Sequence, residues 1–419
     1  MDELEELLVL IIGYWYLRRR SSRRVARVID DRSTSIGHAY TQQLLGGSNA
    51  LCHELMHVSR DTYVLLCHHF KQKNWLQSSR NISVEEKLAM FLTIIGQNER
   101  FTMVKRRFGR STQTIHACFR EVLQGMIKFA VDFFKTTSFV DAPNMPERYR
   151  KLREIFPVCV SFYIHCNTRS ILNRGLFGAL DGIPIHAVVQ DGQQDKYKRK
   201  GSDECSQNVL AICNFNMLFT FVWAGWEGGA DDSQVLTEVA FNPTTGFPFP
   251  PPDKYYLCDT AYTDLGHTRR PGFLAPYRKT RYSLADFRRQ PPSTKKEKFN
   301  YAHAQLRNVI GCATGVLKAR FPILKQMAPY SFTMQRDIAI ACFTIHNFIR
   351  KSRVEDQLFI EFDENLMFIG EEQHEESDES SDEEESDEDG IDETWRSPRE
   401  IECMVNLRDQ IADRLSFGP

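Results

Sequence analysis

Residues 177–189 read FGALDGIPIHAVV, a short apolar run that carries one carboxylate, Asp181, near its centre. The length of the run and its Ile and Val residues predict a buried β-strand. A carboxylate within or just past a buried strand is unfavourable unless a cation compensates its charge. This stretch therefore predicts a central strand of a sheet and, in the same place, a candidate functional site.

Three further apolar runs predict strands that accompany the first one. They are SQNVLAICNF (206–215), MLFTFVWAGW (217–226) and KYYLCD (254–259). The last run ends at a second carboxylate, Asp259. Residues 233–240 and 301–319 have helical spacing, and strands mixed with helices predict an α/β or α+β layer fold.

Residues 50 to 140 have helical spacing almost throughout. Within them, RFGRSTQTIHACFREVL (107–123) reads as a helix, a glycine turn and a second helix, which is helix-turn-helix geometry. Such a unit contacts DNA through basic residues at the phosphates and polar residues on the second helix. The candidate DNA-binding residues are Arg106, Arg107, Arg110, Thr112, Thr114, His116 and Arg120. The alternative is an ordinary helix hairpin with a solvated basic rim.

Two patterns in the sequence are those of metal ligands. On neighbouring strands, Asp181 and Asp259 would offer oxygen ligands to Mg²⁺ or Mn²⁺, as two-metal sites of phosphoryl transfer do. The alternative for both is an ordinary strand-end aspartate that caps a helix. HELMH (53–57) matches the H-E-x-x-H zinc pattern, but three fixed letters are a weak signal in a chain with 12 His.

The charge of the chain is unevenly distributed. Residues 371–389 carry 13 Asp and Glu and no Lys or Arg, which predicts a disordered acidic tail. The whole chain has 53 Lys and Arg against 55 Asp and Glu, so the rest is basic and favours an anionic partner, with DNA as the first candidate. Residues 7–17 (LLVLIIGYWYL) are too short to span a bilayer, and the scattered cysteines indicate no disulfide framework.

The motifs taken together resemble the Harbinger-type transposases of plants and their domesticated nuclease derivatives. The resemblance rests on the runs quoted above, on KYYLCDTAYTDLGHTRRPGFLAPYR (254–278) and on FNYAHAQLRNVIGCATGVLKARFPILK (299–325). It implies an RNase H-like core, a mixed sheet flanked by helices, with a D-D-E triad that binds two divalent metals. By motif, Asp181 and Asp259 are its first two members, catalytic and metal-binding. The resemblance also implies a nuclear protein and a separate Myb-like DNA-binding partner.

The third member of the triad is where this sequence departs from the family. The family motif resembles RNVIERTFGVLK, whereas this chain has RNVIGCATGVLK (307–318), with Gly311 in place of the glutamate. Glycine supplies no ligand, and loss of one member of a catalytic unit commonly lowers the rate by several orders of magnitude. We therefore expect a weak or inactive nuclease. Its implied cofactor is a divalent metal, Mg²⁺ or Mn²⁺, and the sequence leaves open whether this metal is retained or lost. Glu297 and Asp232 are the two candidate substitutes for the missing glutamate.

The sequence predicts six parts along the chain and is compatible with three functions. The parts are an N-terminal helix and basic segment (1–49), a helical, helix-turn-helix-like DNA-binding domain (50–140), a linker with an atypical insertion (141–176), an RNase H-like nuclease domain (177–369), an acidic disordered tail (370–393) and a C-terminal helix (394–419). The first function is an active metal-dependent endonuclease. The second is a domesticated, non-catalytic DNA-binding or chromatin-complex adaptor, and the third is a transposon copy without function.

Overall fold

The computed structural model describes most of the chain. The described residues are 36–134, 145–156, 175–189, 192, 194–198, 204–251, 254–259, 272–364 and 398–417. The predictions for the N-terminal apolar and basic segment up to residue 35, for the insertion at 157–174 and for the acidic tail lie outside these ranges.

Six helices form the N-terminal part of the described chain, and serine side chains start several of them. They are α1 (Ile36–Gly46), α2 (Asn49–Met56), α3 (Arg60–Gln72), α4 (Val84–Gln97), α5 (Phe101–Phe108) and α6 (Thr112–Phe134). Ser48, Ser59 and Ser83 each accept a hydrogen bond from a backbone N–H in the first turn of α2, α3 and α4. Gly109 ends α5 with a left-handed φ of 62°, a conformation that glycine adopts without steric penalty.

The sheet has five strands, and its first strand is central. The strands are β1 (Leu176–His186), β2 (Ser206–Asn214), β3 (Phe219–Glu227), β4 (Tyr255–Leu257) and β5 (Phe273–Leu274). Their spatial order is β3-β2-β1-β4-β5. β2 is antiparallel to β1 and β3, whereas β4 is parallel to β1 and β5. The mixed α/β class and the four strands predicted from the sequence are thereby confirmed.

The remaining helices cover the sheet and close its edges. They are α7 (Glu147–Ile155), α8 (Asp232–Phe241), α9 (Asp286–Arg289), α10 (Lys295–Arg320), α11 (Phe332–Lys351), α12 (Gln357–Glu364) and α13 (Pro398–Phe417). The prediction for residues 301–319 captured most of α10, and the C-terminal helix predicted within 394–419 is present as α13. A capping box formed by Thr294 and Glu297 starts α10 six residues earlier than the apolar pattern indicated.

Helix α11 was not predicted, although its side chains are among the most buried in the structure. Its buried face includes polar residues, Asn347 and His346 among them, that obscure the apolar period. The Asn347 side chain accepts a hydrogen bond from the Phe219 N–H at 2.9 Å and donates one to the Phe219 carbonyl at 2.7 Å. His346 donates through Nε2 to the Met217 carbonyl at 2.8 Å. These contacts fasten α11 to the start of β3.

The two faces of the sheet bury different side chains, and this decides where the candidate site lies. Ala179 and Ile183 of β1 belong to the core that includes α10 and α11, whereas Leu180 belongs to a second core that includes α8. Because side chains alternate along a strand, Asp181 shares the α10 face with Ala179 and Ile183. Gly182 points to the α8 face.

Gly311 and Gly315 both lie inside α10, in surroundings that differ. A Cβ built on Gly311 meets only the Asn308 side chain, with Oδ1 at 3.2 Å, whereas a Cβ on Gly315 overlaps the ring of Phe362 in α12. Close packing of α12 therefore accounts for Gly315. No packing contact of this kind accounts for Gly311.

We predict opposite effects of alanine at these two positions. Gly311→Ala should raise the free energy of unfolding by up to about 1 kcal/mol, because alanine is the better helix former. Gly315→Ala should lower it by about 1–3 kcal/mol, because the new methyl group displaces Phe362. Urea denaturation of the two variants measures both effects. A loss of stability in Gly311→Ala as large as that in Gly315→Ala would contradict the open surroundings of Gly311.

Candidate functional site

Asp181 and Asp259 lie side by side on the face of the sheet that α10 covers. Asp181 is within β1, and Asp259 follows β4, the parallel neighbour of β1. The register pairs Ala179 with Leu257, so two residues further along each strand the two carboxylates meet. The structure thus brings together the two acids that the sequence singled out. Their catalytic and metal-binding roles remain predictions.

A single guanidinium joins the two carboxylates. Nη2 of Arg307, which projects from α10, lies 2.8 Å from Oδ1 of Asp181 and 3.1 Å from Oδ2 of Asp259. The Arg307 side chain is 9% exposed, and the side chains of Asp181 and Asp259 are 28% and 22% exposed, so this ion pair is partly shielded from solvent. A partly shielded ion pair of this kind is weakened far less by salt than a surface pair. Arg307 is therefore the counter-charge that allows two acids to lie together on a buried face.

Opposing influences act on the pKa of Asp181. Burial raises the pKa of Asp181 to about 6, Arg307 opposes this rise, and the charges of Asp259 and Asp232 add to it. Two carboxylates against one guanidinium leave an excess of negative charge, which favours a proton on the pair. The charge of Arg307 therefore neutralises the charge of the two carboxylates only in part.

A second layer of hydrogen bonds fixes the position of Arg307. Tyr282 is hydrogen-bonded to Arg307, and its hydroxyl lies 3.0 Å from Nδ1 of His303. Nε2 of His303 donates to the Leu274 carbonyl at 2.9 Å, so Nδ1 of the neutral ring accepts from Tyr282. Burial lowers the pKa of His303 to about 4, which keeps the ring neutral at physiological pH. Arg307 is held by the acids and by this tyrosine.

Three positions could have supplied the third acid, and none of them does so. Gly311 lies one turn beyond Arg307 on α10 and has no side chain. Glu297 accepts hydrogen bonds from Arg281, Ser293 and Thr294 at the start of α10, ten residues before Arg307. Asp232 lies across the sheet, because a Cβ on Gly182 would meet its carboxylate and the Asn208 side chain donates to it.

The residues present do not fit a pair of divalent metals. Carboxylate oxygens suit Mg²⁺ and Mn²⁺, but here both acids already bind a guanidinium between them. In the described parts of the chain, no group of three or more His, Cys, Asp or Glu residues is arranged to hold a metal ion. A cation at this position would have to displace Arg307 first.

The H-E-x-x-H pattern at 53–57 does not form a zinc site either. Helix α2 ends at Met56, and His57 follows it in a left-handed conformation with φ of 54°. The two imidazole rings are 6.3 Å apart between centroids and stack on each other. Burial and the neighbouring His53 and Arg320 lower the pKa of His57. These observations fit a packed histidine pair.

The candidate DNA-binding residues fall into two groups. Arg106 and Arg120 are exposed on α5 and α6, and Thr112, Thr114 and His116 are partly exposed on the first turns of α6. Arg107 and Arg110, by contrast, pair with acids of α4 and its end: Arg107 with Glu99 at 2.9 Å, and Arg110 with the buried Glu86 at 2.7 Å. These contacts involve the two arginines in the packing of the helices. DNA binding by the set remains a prediction.

Sequence reasoning missed Arg307, Tyr282 and His303. A signal for two of them was present in the chain, since His303, Arg307 and Gly311 are spaced four residues apart along α10 and share one face of the helix. A histidine and an arginine on a buried helix face call for partners on the facing element. Arg307 finds its partners in the sheet acids, and His303 finds them in the Leu274 carbonyl and the Tyr282 hydroxyl.

Comparison with known proteins supports the reading of the motifs. Residues 182–347 match the DDE superfamily endonuclease family, and residues 32–128 match a domain of unknown function (DUF8040). Protein ALP1-like of Arabidopsis thaliana is 22% identical over 328 residues, which cover 74% of this chain and 73% of that protein. No solved structure matches the chain. The first of these matches confirms the DDE resemblance.

We predict that Arg307→Met lowers the free energy of unfolding by about 1–3 kcal/mol near neutral pH, because it leaves two partly buried carboxylates without their counter-charge. Loss of Arg307 also removes the influence that lowers the pKa of Asp181. Asp181 of the variant therefore binds its proton at a higher pH than Asp181 of the parent does, and the penalty should shrink as the pH falls towards about 6, where Asp181 of the parent becomes protonated as well.

Urea denaturation at about pH 7.5 and about pH 5 measures both effects. The control is Arg307→Lys, which keeps the positive charge but not the planar guanidinium that contacts both acids. Its free energy of unfolding should fall less than that of Arg307→Met. An Arg307→Met variant as stable as the parent at the higher pH would show that the guanidinium is not the required counter-charge.

Proposed function

We propose that this chain, whose residues 182–347 match the DDE superfamily endonuclease family, is a Harbinger transposase-derived protein that binds DNA without hydrolysing it. One observation carries the proposal: Arg307 lies between Asp181 and Asp259, the acids that would otherwise hold catalytic cations. Gly311, one turn further along the same helix, lacks the carboxylate that would compete for Arg307.

The physical argument concerns charge and geometry at the sheet. Metal-dependent hydrolysis of a phosphodiester relies on carboxylates to place cations that stabilise the attacking and leaving oxygens. An arginine bound to both acids supplies one fixed positive charge and hydrogen bonds, but it does not lower the pKa of a water molecule as a metal does. A carboxylate at residue 311 would draw Arg307 along the helix, and glycine leaves it in place.

The strand order supports an RNase H-like core. Three antiparallel strands in the order β3-β2-β1 are followed by two short parallel strands, β4 and β5, with helices on both faces. In this arrangement the acids come from the central strand and its parallel neighbour. The acid pair of this chain occupies those positions.

DNA is the ligand that the charge of the chain favours. The basic excess outside residues 371–389 supports it, as do the exposed Arg106 and Arg120 on the N-terminal helices. Within the described residues, no helix is long and apolar enough to cross a bilayer. A role in the nucleus, with a Myb-like partner or a chromatin complex, follows from DNA as the ligand and from the Harbinger resemblance.

The second candidate function is an active nuclease. The convergence of Asp181 and Asp259 favours it, because the two acids are within reach of one common cation. On this view, Arg307 moves aside when DNA and metal bind together. A cleavage assay separates the two functions.

We predict that the purified full chain does not cleave DNA in the presence of Mg²⁺ or Mn²⁺. The substrates are supercoiled plasmid and linear DNA that carries the terminal repeats of the corresponding element. The Asp181→Asn variant is the control, and its background should equal that of the parent. Metal-dependent nicking that disappears in Asp181→Asn would overturn the proposal in favour of the active nuclease.

We further predict that Gly311→Glu restores measurable Mn²⁺ binding. The new carboxylate lies one helical turn from Arg307, so it pairs with the guanidinium and frees Asp181 and Asp259. A Cβ at residue 311 meets only the Asn308 side chain, with Oδ1 at 3.2 Å. Gly311→Gln, of equal size but without charge, is the matched control. Titration calorimetry that finds no Mn²⁺ binding beyond that of Gly311→Gln would contradict the assigned place of the missing acid.

A further inference from the structure

A strongly basic segment leads into α10 and includes its first turn, and it is not among the predicted DNA-binding residues. Residues 278–298 read RKTRYSLADFRRQPPSTKKEK, with eight Lys and Arg against two acids. We call these residues the basic segment. Most of its cations are exposed, Lys279 and Arg289 among them.

The basic segment is held in a defined conformation despite its loop character. Asn300 of α10 accepts a hydrogen bond from the Tyr277 N–H at 2.8 Å. Its Nδ2 lies within hydrogen-bond distance of the carbonyls of Tyr277, Thr280 and Arg281, at 3.0, 3.3 and 3.1 Å. A fully buried side chain thus organises the turn that carries Lys279. The exposed cations project from a surface that is already ordered.

Apolar and ionic contacts secure the middle of the segment. Phe287 is 6% exposed, and its ring packs on Tyr301 with 5.2 Å between centroids. Arg281 pairs with Glu297 at 2.8 Å and lies over the Phe287 ring. These inward contacts use Arg281, whereas Lys279 and Arg289 remain at the surface.

The basic segment also adjoins the acid pair. Tyr282 belongs to the segment, and it is the residue that hydrogen-bonds to Arg307 and to His303. The surface therefore lies next to the place where a phosphodiester would approach a nuclease centre of this architecture. Arg307 offsets much of the charge of Asp181 and Asp259, so the acids repel an approaching phosphate less than two free carboxylates would.

We propose that the basic segment is a DNA-binding surface of the sheet domain, separate from the N-terminal helices, and that it binds the phosphate backbone of double-stranded DNA. The inference rests on the proposed function of DNA binding without hydrolysis. Exposed cations on an ordered surface contact phosphates irrespective of DNA sequence. Such contacts release counterions, so their number appears in the salt dependence of binding.

The test neutralises two cations of the segment and compares them with a matched pair elsewhere. The variant is Lys279→Asn with Arg289→Gln, and the control is Arg353→Asn with Lys325→Gln. Lys279 and Arg353 both have left-handed backbones, with φ of 52° and 54°, which asparagine tolerates. Lys325 and Arg353 are exposed and follow the C-terminal ends of α10 and α11. Lys325 lies beyond the opposite end of α10, a helix of 26 residues that is about 39 Å long by helical rise.

The measurement is fluorescence anisotropy of the full chain with a labelled duplex at several salt concentrations. Each phosphate contact contributes about 0.9 to the slope of log Kobs against log salt, so the variant should lose about 2 from that slope. Its affinity should fall roughly ten-fold at moderate salt, without dependence on DNA sequence. The control pair should keep the slope and affinity of the parent. Thermal melting checks that both variants remain folded.

The outcomes separate this inference from the proposed function. A parent chain that does not bind duplex DNA overturns the proposed function and the inference with it. A parent that binds, together with a variant whose slope equals that of the control, overturns the inference alone. A variant that binds DNA more tightly than the parent also overturns it, and indicates that the segment holds the acidic residues 371–389 of the chain instead.

Discussion

One guanidinium shared by two carboxylates ties the central sheet to the long helix α10. Arg307 contacts Asp181 on β1 and Asp259 after β4, so it fixes two neighbouring strands against one helix face. A second buried arginine on α10, Arg320, pairs with Asp356 and donates to the His57 carbonyl at 2.7 Å, which joins the N-terminal helices to the same helix. Buried charges of this kind are costly to leave unpaired, so both partners must stay in register.

Stability and hydrolysis make opposite demands on the acid pair. A nuclease centre needs carboxylates that remain available to cations, and their mutual repulsion in the free protein lowers its stability. Here Arg307 relieves that repulsion, while Tyr282 and His303 hold the arginine in place. The same contacts that make the sheet stable thus withdraw its acids from metal chemistry. The basic segment beside them is the DNA-binding surface that we propose, and DNA binding there does not depend on catalysis by the two acids.

The sequence predicted the four longer strands and the pairing of the two acids, because apolar runs of strand length are a local signal. It missed α11, where buried polar residues replace part of the apolar period and find their partners in distant segments, as Asn347 does in β3. It also assigned Arg107 and Arg110 to phosphates. Both have acidic partners on or just beyond α4, and nothing in the local sequence predicts those ion pairs.

The sequence by itself determined that two acids lie within or just after strands, that residue 311 has no side chain and that the chain outside residues 371–389 is basic. These are properties of residues and of their near neighbours. Only the tertiary structure decided that Arg307 reaches both acids, that Asp232 lies on the opposite face of the sheet and that Glu297 is engaged at the start of α10. The reason is that faces, register and counter-charges arise from packing between segments far apart in the chain.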